Sequence, residues 1–358
     1  MVRVAAEQIA DTVELPVREA ECTVERLLDD PRQVPESRPP GGQEGGQEPR
    51  RYVEEVSRGY VPVLVLLALI WGSSFMFIEI ALDDLSPAAT MSGRLLFAAT
   101  ALGAVLVARR GPGQAVRCLR DFGVAGFVLG VISTALPFWL IAWGQTRIDS
   151  GIAAIGNASM PIFVALLAIW FAQSERVTGV RALGMIIGLV GVGVLVGVDP
   201  QGGWPGVVGT LAVVLASISY AAGSLFSQHK LGDSSGLLVS TASAIWGALV
   251  ILPFGIAQRP SEVPGWEAAA AVAALGLLGT AVGLLLYLRL LENHGSAKGS
   301  LVVYLLPPTA IIYGAVFLDE PIRLSAIVGL ALILGGVAIA SGLVRPIRRR
   351  QPVPAPTP

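Results

Sequence analysis

Asn157-Ala-Ser-Met-Pro161 with an apolar run to Glu175, and Tyr304-Leu-Leu-Pro307 with an apolar run to Glu320, are two copies of one pattern about 145 residues apart. In each copy the acid is followed nine residues later by a glycine and seven residues after that by another. These are Gly184 and Gly191 in the first copy, Gly329 and Gly336 in the second. Proline and glutamate are 14 positions apart in the first and 13 in the second. A repeat this long, built from membrane-length apolar segments, points to a duplicated transporter half rather than to a short solenoid unit.

Working outward from those copies, the chain is 53% apolar and only 14% charged, against about 25% charged in an ordinary soluble domain. The charges gather in the first 58 residues, in short gaps and in the last 14. Ten apolar runs lie between them, at 60–82, 88–108, 121–143, 150–171, 179–198, 205–228, 235–257, 267–291, 297–318 and 322–343. Each is near the ~20 residues that cross a bilayer as a helix. The pattern predicts an all-α integral membrane protein with ten transmembrane helices. Five per half is an odd number, so the second half starts on the opposite side and the halves are inverted repeats.

The expected organisation is a disordered extension over 1–58, a first five-helix repeat over 60–198, a second over 204–343, and a basic, proline-rich tail over 344–358. Arginine and lysine crowd alternate gaps: Arg50, Arg51 and Arg58; Arg109, Arg110, Arg117 and Arg120; Arg176; Lys230; Lys298; and Arg345 with Arg348 to Arg350. The other side receives Arg147, Arg259 and Arg323. The positive-inside rule then puts both termini in the cytoplasm of a multi-pass protein of the inner or plasma membrane.

Two histidines and two cysteines, Cys22 and Cys118, form no metal-ligand or CxxC pattern, so no metal and no cofactor are expected. No Walker loop, G-x-S-x-G elbow or HExxH appears, and an enzyme is not expected. Nothing in the chain calls for nucleic acid. The partners it implies are the lipid bilayer and a small-molecule substrate, with protons as a coupling ion and a homodimer left open.

Glu79 and Arg94 are the clearest intramembrane charges. A rise of ~1.5 Å per residue from the short connection at Asp83, Asp84 and Pro87 sets them at similar depth. Each is therefore the expected partner of the other, as a structural ion pair or a coupling pair. Pro161 and Pro307 remove backbone hydrogen bonds at matching points of the two halves and are the expected hinges. Trp71, Ser74, Trp139, Asn157, Tyr220, Tyr287 and Tyr304 lie at mid-helix depth and are the expected cavity lining. Glu175 and Glu320 are expected to stabilise the helices that follow them through the amides of the helix N-terminus.

Ile70-Trp-Gly-Ser-Ser-Phe75, Arg94-Leu-Leu-Phe-Ala98, Ala158-Ser-Met-Pro-Ile162, Glu175-Arg-Val-Thr178 with Gly184, and Asp319-Glu-Pro-Ile-Arg323 with Gly329 together resemble the drug/metabolite transporter superfamily, in its EamA-type members. The resemblance covers about 60–343. It implies ten helices in two inverted repeats around a central cavity. It also implies export or exchange of small metabolites, amino acids or drugs by alternating access. An uncoupled facilitator or channel of the same fold is the alternative. Glu79 departs from the pattern, in which lysine or a neutral residue is common.

Overall fold

The structure is a computed structural model describing residues 48–171, 179–197, 203–232, 234–295, 299 and 301–340, without the side chains of 48–59, 170 and 171. Glu175 lies outside the described residues. Among those described, every regular element is helical. In chain order these are α1 (Glu48–Leu82), α2 (Pro87–Arg110), α3 (Pro112–Asp121), α4 (Gly123–Gln145), α5 (Ser150–Asn157) and α6 (Met160–Phe171). The remainder are α7 (Val180–Gly197), α8 (Trp204–Leu231), α9 (Gly236–Ala257), α10 (Trp266–His294), α11 (Val302–Phe317) and α12 (Leu324–Ala340).

Among the described residues, eight segments are long and apolar enough to cross a membrane, counting α5 with α6 as one. The last two expected runs form shorter apolar helices of 16 and 17 residues. At 1.5 Å per residue they reach ~25 Å, somewhat less than a ~30 Å hydrocarbon layer. The expected boundary at residue 58 also shifts, because α1 already begins at Glu48. The outer surface carries large apolar side chains such as Ile186 (58% exposed), Phe254 (60%) and Val316 (64%). Water would penalise such a girdle, whereas lipid tails solvate it.

Local sequence sets the helix ends. Ser86 caps α2 by accepting from Ala89 N at 3.2 Å, with Pro87 behind it in the first turn. Gly111, at φ +78°, ends α2 and turns the chain into α3. Helix α3 buries Ala115 and Cys118 and leaves Arg117 and Arg120 exposed. This is the pattern of a helix lying along the end of the bundle. Ser235 caps α9 in the same way, accepting from Leu238 N at 3.3 Å.

Contacts between the two halves come in matched sets. Helix α1 packs on α10 and α11, while α8 packs on α4, α5 and α6. Helix α2 meets α10, while α9 meets α4; α2 and α9 also meet each other, as do α7 and α12. The α7–α12 crossing is antiparallel and made by the repeated glycines. A Cβ on Gly184 would lie 2.7 Å from Gly336 O, and one on Gly191 would lie 3.0 Å from Gly329 O. Such backbone-to-backbone approach is possible only without side chains.

The third long helix of each half contains a π segment, Gly130–Ala135 in α4 and Leu275–Val282 in α10. Gly130 and Gly276 are 146 residues apart. Gly130 abuts Trp246 and Gly247 of α9, and Gly276 abuts Phe97 and the Arg94 carbonyl of α2. Each π segment widens its helix by a residue per turn just where a helix of the other half comes closest.

At one end of the bundle, hydrogen bonds tie the halves together. Glu320, in the turn before α12, accepts from Ser150 N (2.8 Å) and Gly151 N (3.1 Å) at the start of α5. Asp84 accepts from Gly265 N at 2.7 Å, and the Ser86 hydroxyl donates to Gln258 O at 3.1 Å. This corrects the expectation that Glu320 serves the helix that follows it. Its amide partners open a helix of the other half, because the turn at Asp319 (φ +54°) folds the chain back across Gly314.

Candidate functional site

A cavity of about 400 Å³ lies between the halves, within the ~300–1,000 Å³ typical of small-molecule sites. Helix α1 contributes Trp71, Ser74, Phe75 and Ile78, and α2 contributes Arg94. From α4 come Leu129, Ser133, Thr134, Phe138 and Ile141, and from the α5–α6 region Ala154, Asn157, Ala158 and Met160. The second half supplies Tyr220, Ser224 and Ser227 of α8, Ser240 and Ser243 of α9, Gly279 and Thr280 of α10, and Val303 and Leu306 of α11.

The π segments place the polar groups. In α4 the Thr134 hydroxyl lies 2.6 Å from Gly130 O and 3.1 Å from Ser243 O, so it bridges to α9. In α10 the Thr280 hydroxyl donates to Leu275 O at 3.0 Å and accepts from Arg94 Nε at 3.0 Å, so it bridges to α2. The Arg94 guanidinium also stands 3.9 Å over the Phe138 ring, a cation–π arrangement. Phe138 in turn meets Tyr220 edge-on at 6.2 Å.

The two proline segments reach the cavity in different ways. In the first half the helix breaks at Ala158 and Ser159, and α6 restarts with Pro161 in its first turn. Pro161 has no N–H to donate to Asn157 O, and the Ser217 hydroxyl of α8 lies 3.4 Å from that carbonyl and 3.2 Å from Gly156 O. Ser159 donates to Gly156 O at 2.6 Å. In the second half α11 continues through Pro307 and Pro308. There the Thr309 hydroxyl lies within reach of Leu305 O, Leu306 O and, across the interface, Ala68 O of α1 at 3.1 Å.

Of the expected lining residues, Trp71, Ser74, Asn157 and Tyr220 face the cavity. Trp139, Tyr287 and Tyr304 do not. Trp139 packs with Trp143 (6.2 Å) against the core around Ile141, Tyr287 stacks behind Trp71 at 5.3 Å, and Tyr304 packs in the cluster around Ile155 and Ile333. The expected Glu79–Arg94 pair is not formed. Glu79 accepts from Gln145 Nε2 at 3.2 Å, an amide that also donates to Phe75 O at 2.9 Å. Similar depth did not bring the two charges together, because α2 turns Arg94 toward α4 and α10 while Glu79 faces the end of α4. Residues not anticipated as lining include Phe75, Phe138, Ser133, Thr134, Ser243 and Thr280. Thr134 and Thr280 lie 146 positions apart, so reading the repeat through this segment would have found them.

A family model described as the EamA-like transporter family matches residues 59–197 and again 207–342. The chain belongs to the EamA-like transporter family. Its homologues include a transporter of Archaeoglobus fulgidus, 24% identical over 77% of this chain and 96% of that one. Another is the "Probable terminal-alkyne amino-acid exporter" of Streptantibioticus cattleyicolor, 27% identical over 82% and 96%. An inner membrane transporter of Escherichia coli, YedA, is 26% identical over 70% and 80%. A solved crystal structure shares the fold with a TM-score of 0.58 at 18% identity, covering 80% of this chain and 98% of its own. This EamA protein is thus a multi-pass membrane transporter carrying a duplicated EamA domain.

Proposed function

We propose that this EamA protein is a secondary transporter that exports a small metabolite, amino acid or drug by alternating access, with the substrate held in the central cavity. The carrying observation is the cavity itself, which joins apolar walls to a few convergent polar groups at the junction of the two EamA domains. Export is supported by the exporter name of the Streptantibioticus relative.

The proposed architecture is ten crossings in two inverted five-helix repeats, over 60–198 and 204–343. The matched contact sets and the antiparallel α7–α12 crossing support it. Helices of equal rank that meet antiparallel through exchanged glycines are related by a two-fold axis perpendicular to them, which in a bilayer lies in the membrane plane. Both termini are proposed to be cytoplasmic on the distribution of arginine and lysine. The end tied by Glu320, Asp84 and Ser86 is then the outer one. The cavity lining runs from Ile78 and Ile141 near that end to Ser227, Val239 and Leu284 toward the other. Breaks at Pro161 and Pro307 are the proposed hinges.

An uncoupled facilitator is a second reading, favoured by Glu79, which bonds Gln145 and lies off the cavity lining. Counterflow in liposomes over labelled amino acids, nucleosides and cationic drugs, with and without a pH gradient, separates the two. Gradient-driven accumulation lost in Glu79→Gln means proton coupling. Exchange indifferent to both means facilitation. No uptake of any kind by the reconstituted protein would sink the transporter reading.

A further inference from the structure

We propose that the cavity selects small carboxylates, with Arg94 as the residue that binds the carboxylate group. The inference deepens the transport reading and rests on its placement of substrate in the central cavity. Arg94 is 9% exposed, and among the described residues it is the only charged one on the cavity lining, with no aspartate or glutamate beside it there. Its Nε donates to Thr280 and its flat face lies on Phe138, so position and plane are both fixed. The terminal guanidinium nitrogens have no hydrogen-bond acceptor among the described residues.

A guanidinium keeps its charge, and a buried charge without a partner is costly. Four N–H groups in a fixed plane match the two oxygens of a carboxylate in a bidentate fork. The substrate therefore completes the ion pair that the protein leaves half-made. Two further polar atoms are buried in the lining without a partner among the described residues, Asn157 Oδ1 and Ser243 Oγ. They can serve the polar substituent of a zwitterion or a hydroxy acid. Trp71, Phe75 and Leu306 offer an apolar wall for the rest of the molecule. Cationic drugs are disfavoured, since they would meet a like charge in a low-dielectric space.

The repeat adds an independent observation. Arg94 and Ser243 are 149 residues apart, as are Phe97 and Trp246, which pack against the matching glycines of the π segments. Arg94 bonds Thr280, and Thr134 bonds Ser243 O. One position of the duplicated scaffold thus carries a cation and its counterpart a hydroxyl. A charge that served packing alone would have been needed in both.

The test uses purified full-length protein at fixed ionic strength, with thermal stabilisation as readout. Benzoate is compared with benzamide, and L-phenylalanine with L-phenylalaninamide, so that shape is held while the carboxylate is removed. Each acid should half-saturate at least about tenfold below its amide. A preference for benzoate over phenylalanine would mark simple acids as the class, and the reverse would mark zwitterions. Arg94→Gln should abolish the preference. Arg94→Lys, which keeps the charge without the fork, should retain part of it and decides the matter if the glutamine variant does not fold. Amides as good as acids, no stabilisation by any acid, chloride stabilising as well as the acids, or a preference intact in both variants would overturn the proposal. Ser240→Trp, which fills the cavity from α9, separates the two readings. Transport blocked by Ser240→Trp but indifferent to Arg94→Gln keeps the cavity and removes the carboxylate anchor. Transport that ignores Ser240→Trp removes the cavity reading itself.

Discussion

Two corresponding places in the halves, Thr280 with Arg94 and Thr134 with Ser243, share a helix crossing and differ in chemistry. In both, a threonine of a π segment reaches the second long helix of the other half. In both, a glycine four residues earlier lets that helix approach. Yet one helix presents a guanidinium and the other a hydroxyl with no partner for its oxygen. Duplication supplies a scaffold in which two walls are equivalent, and substitution on one wall gives the cavity a direction. The proline segments diverge as well: a broken helix with Ser217 beside the Asn157 carbonyl in one half, and a continuous helix whose Thr309 reaches across to α1 in the other.

The comparison fails first if the halves lose their shared crossing. Gly336 should be intolerant even of alanine, because the new Cβ would overlap Gly188 N and lie 2.6 Å from Gly184 O. Overpacking against backbone, which cannot rotate away, should cost about 3 kcal/mol. Its neighbour Gly335 has nothing within 4 Å of an added Cβ. Gly335→Ala should be neutral or stabilising by up to about 1 kcal/mol. Denaturant or thermal unfolding of the two variants side by side tests the pair. Equal stability would mean that α7 and α12 do not meet through these glycines.

Glu320 sharpens the comparison at the tied end. Glu320→Ala removes two charge-assisted hydrogen bonds from the start of α5, each worth about 1.5–3 kcal/mol when intact. The carboxylate is half-buried and water can replace part of the loss, so a cost of about 2 kcal/mol is expected. Transport should be impaired in addition, if release of this tie belongs to opening. Glu320→Gln should fall between wild type and alanine, since one amide oxygen still accepts.

The next effect is smaller and bears directly on which wall carries the charge. Ser243→Arg alone should put two cations in one cavity and weaken carboxylate binding through a poorer fold. The double variant Arg94→Ser with Ser243→Arg should recover the preference for benzoate over benzamide to within about tenfold of wild type, because the matching threonine, Thr134, stands ready beside it. Half-saturation from thermal stabilisation measures it. A double variant no better than Arg94→Ser would show that the walls are equivalent in backbone alone.

Much of this was legible in the sequence, for identifiable reasons. Apolar runs bounded by arginine mark spans because lipid tolerates little else, and the glycine spacing after each acid marked the duplication; that these glycines meet each other in the α7–α12 crossing appears only in the structure. Side-chain direction was less legible. Glu79 and Arg94 sit at similar depth, but depth fixes one coordinate and rotation about the helix axis fixes another. Rotation is set by π segments, which add a residue to a turn without any clear mark in composition. The same ambiguity put Trp139, Tyr287 and Tyr304 on the expected lining, since an aromatic ring at mid-depth suits either a cavity or a packed core.

That ambiguity yields the smallest and most discriminating of these effects. Trp71 and Trp139 are both half-buried tryptophans at mid-depth, one on the cavity and one behind it. Trp71→Phe removes half of an indole that stacks on Tyr287 and forms part of the apolar wall. Contacts of that kind are worth about 0.5–1.5 kcal/mol, so half-saturation for benzoate should rise about twofold to tenfold. Trp139→Phe replaces a ring held between Trp143 and the core. It should lower the melting temperature slightly and leave half-saturation unchanged. The reverse outcome, with affinity following Trp139 and not Trp71, would move the substrate to the other face of α4 and take the role assigned to Arg94 with it.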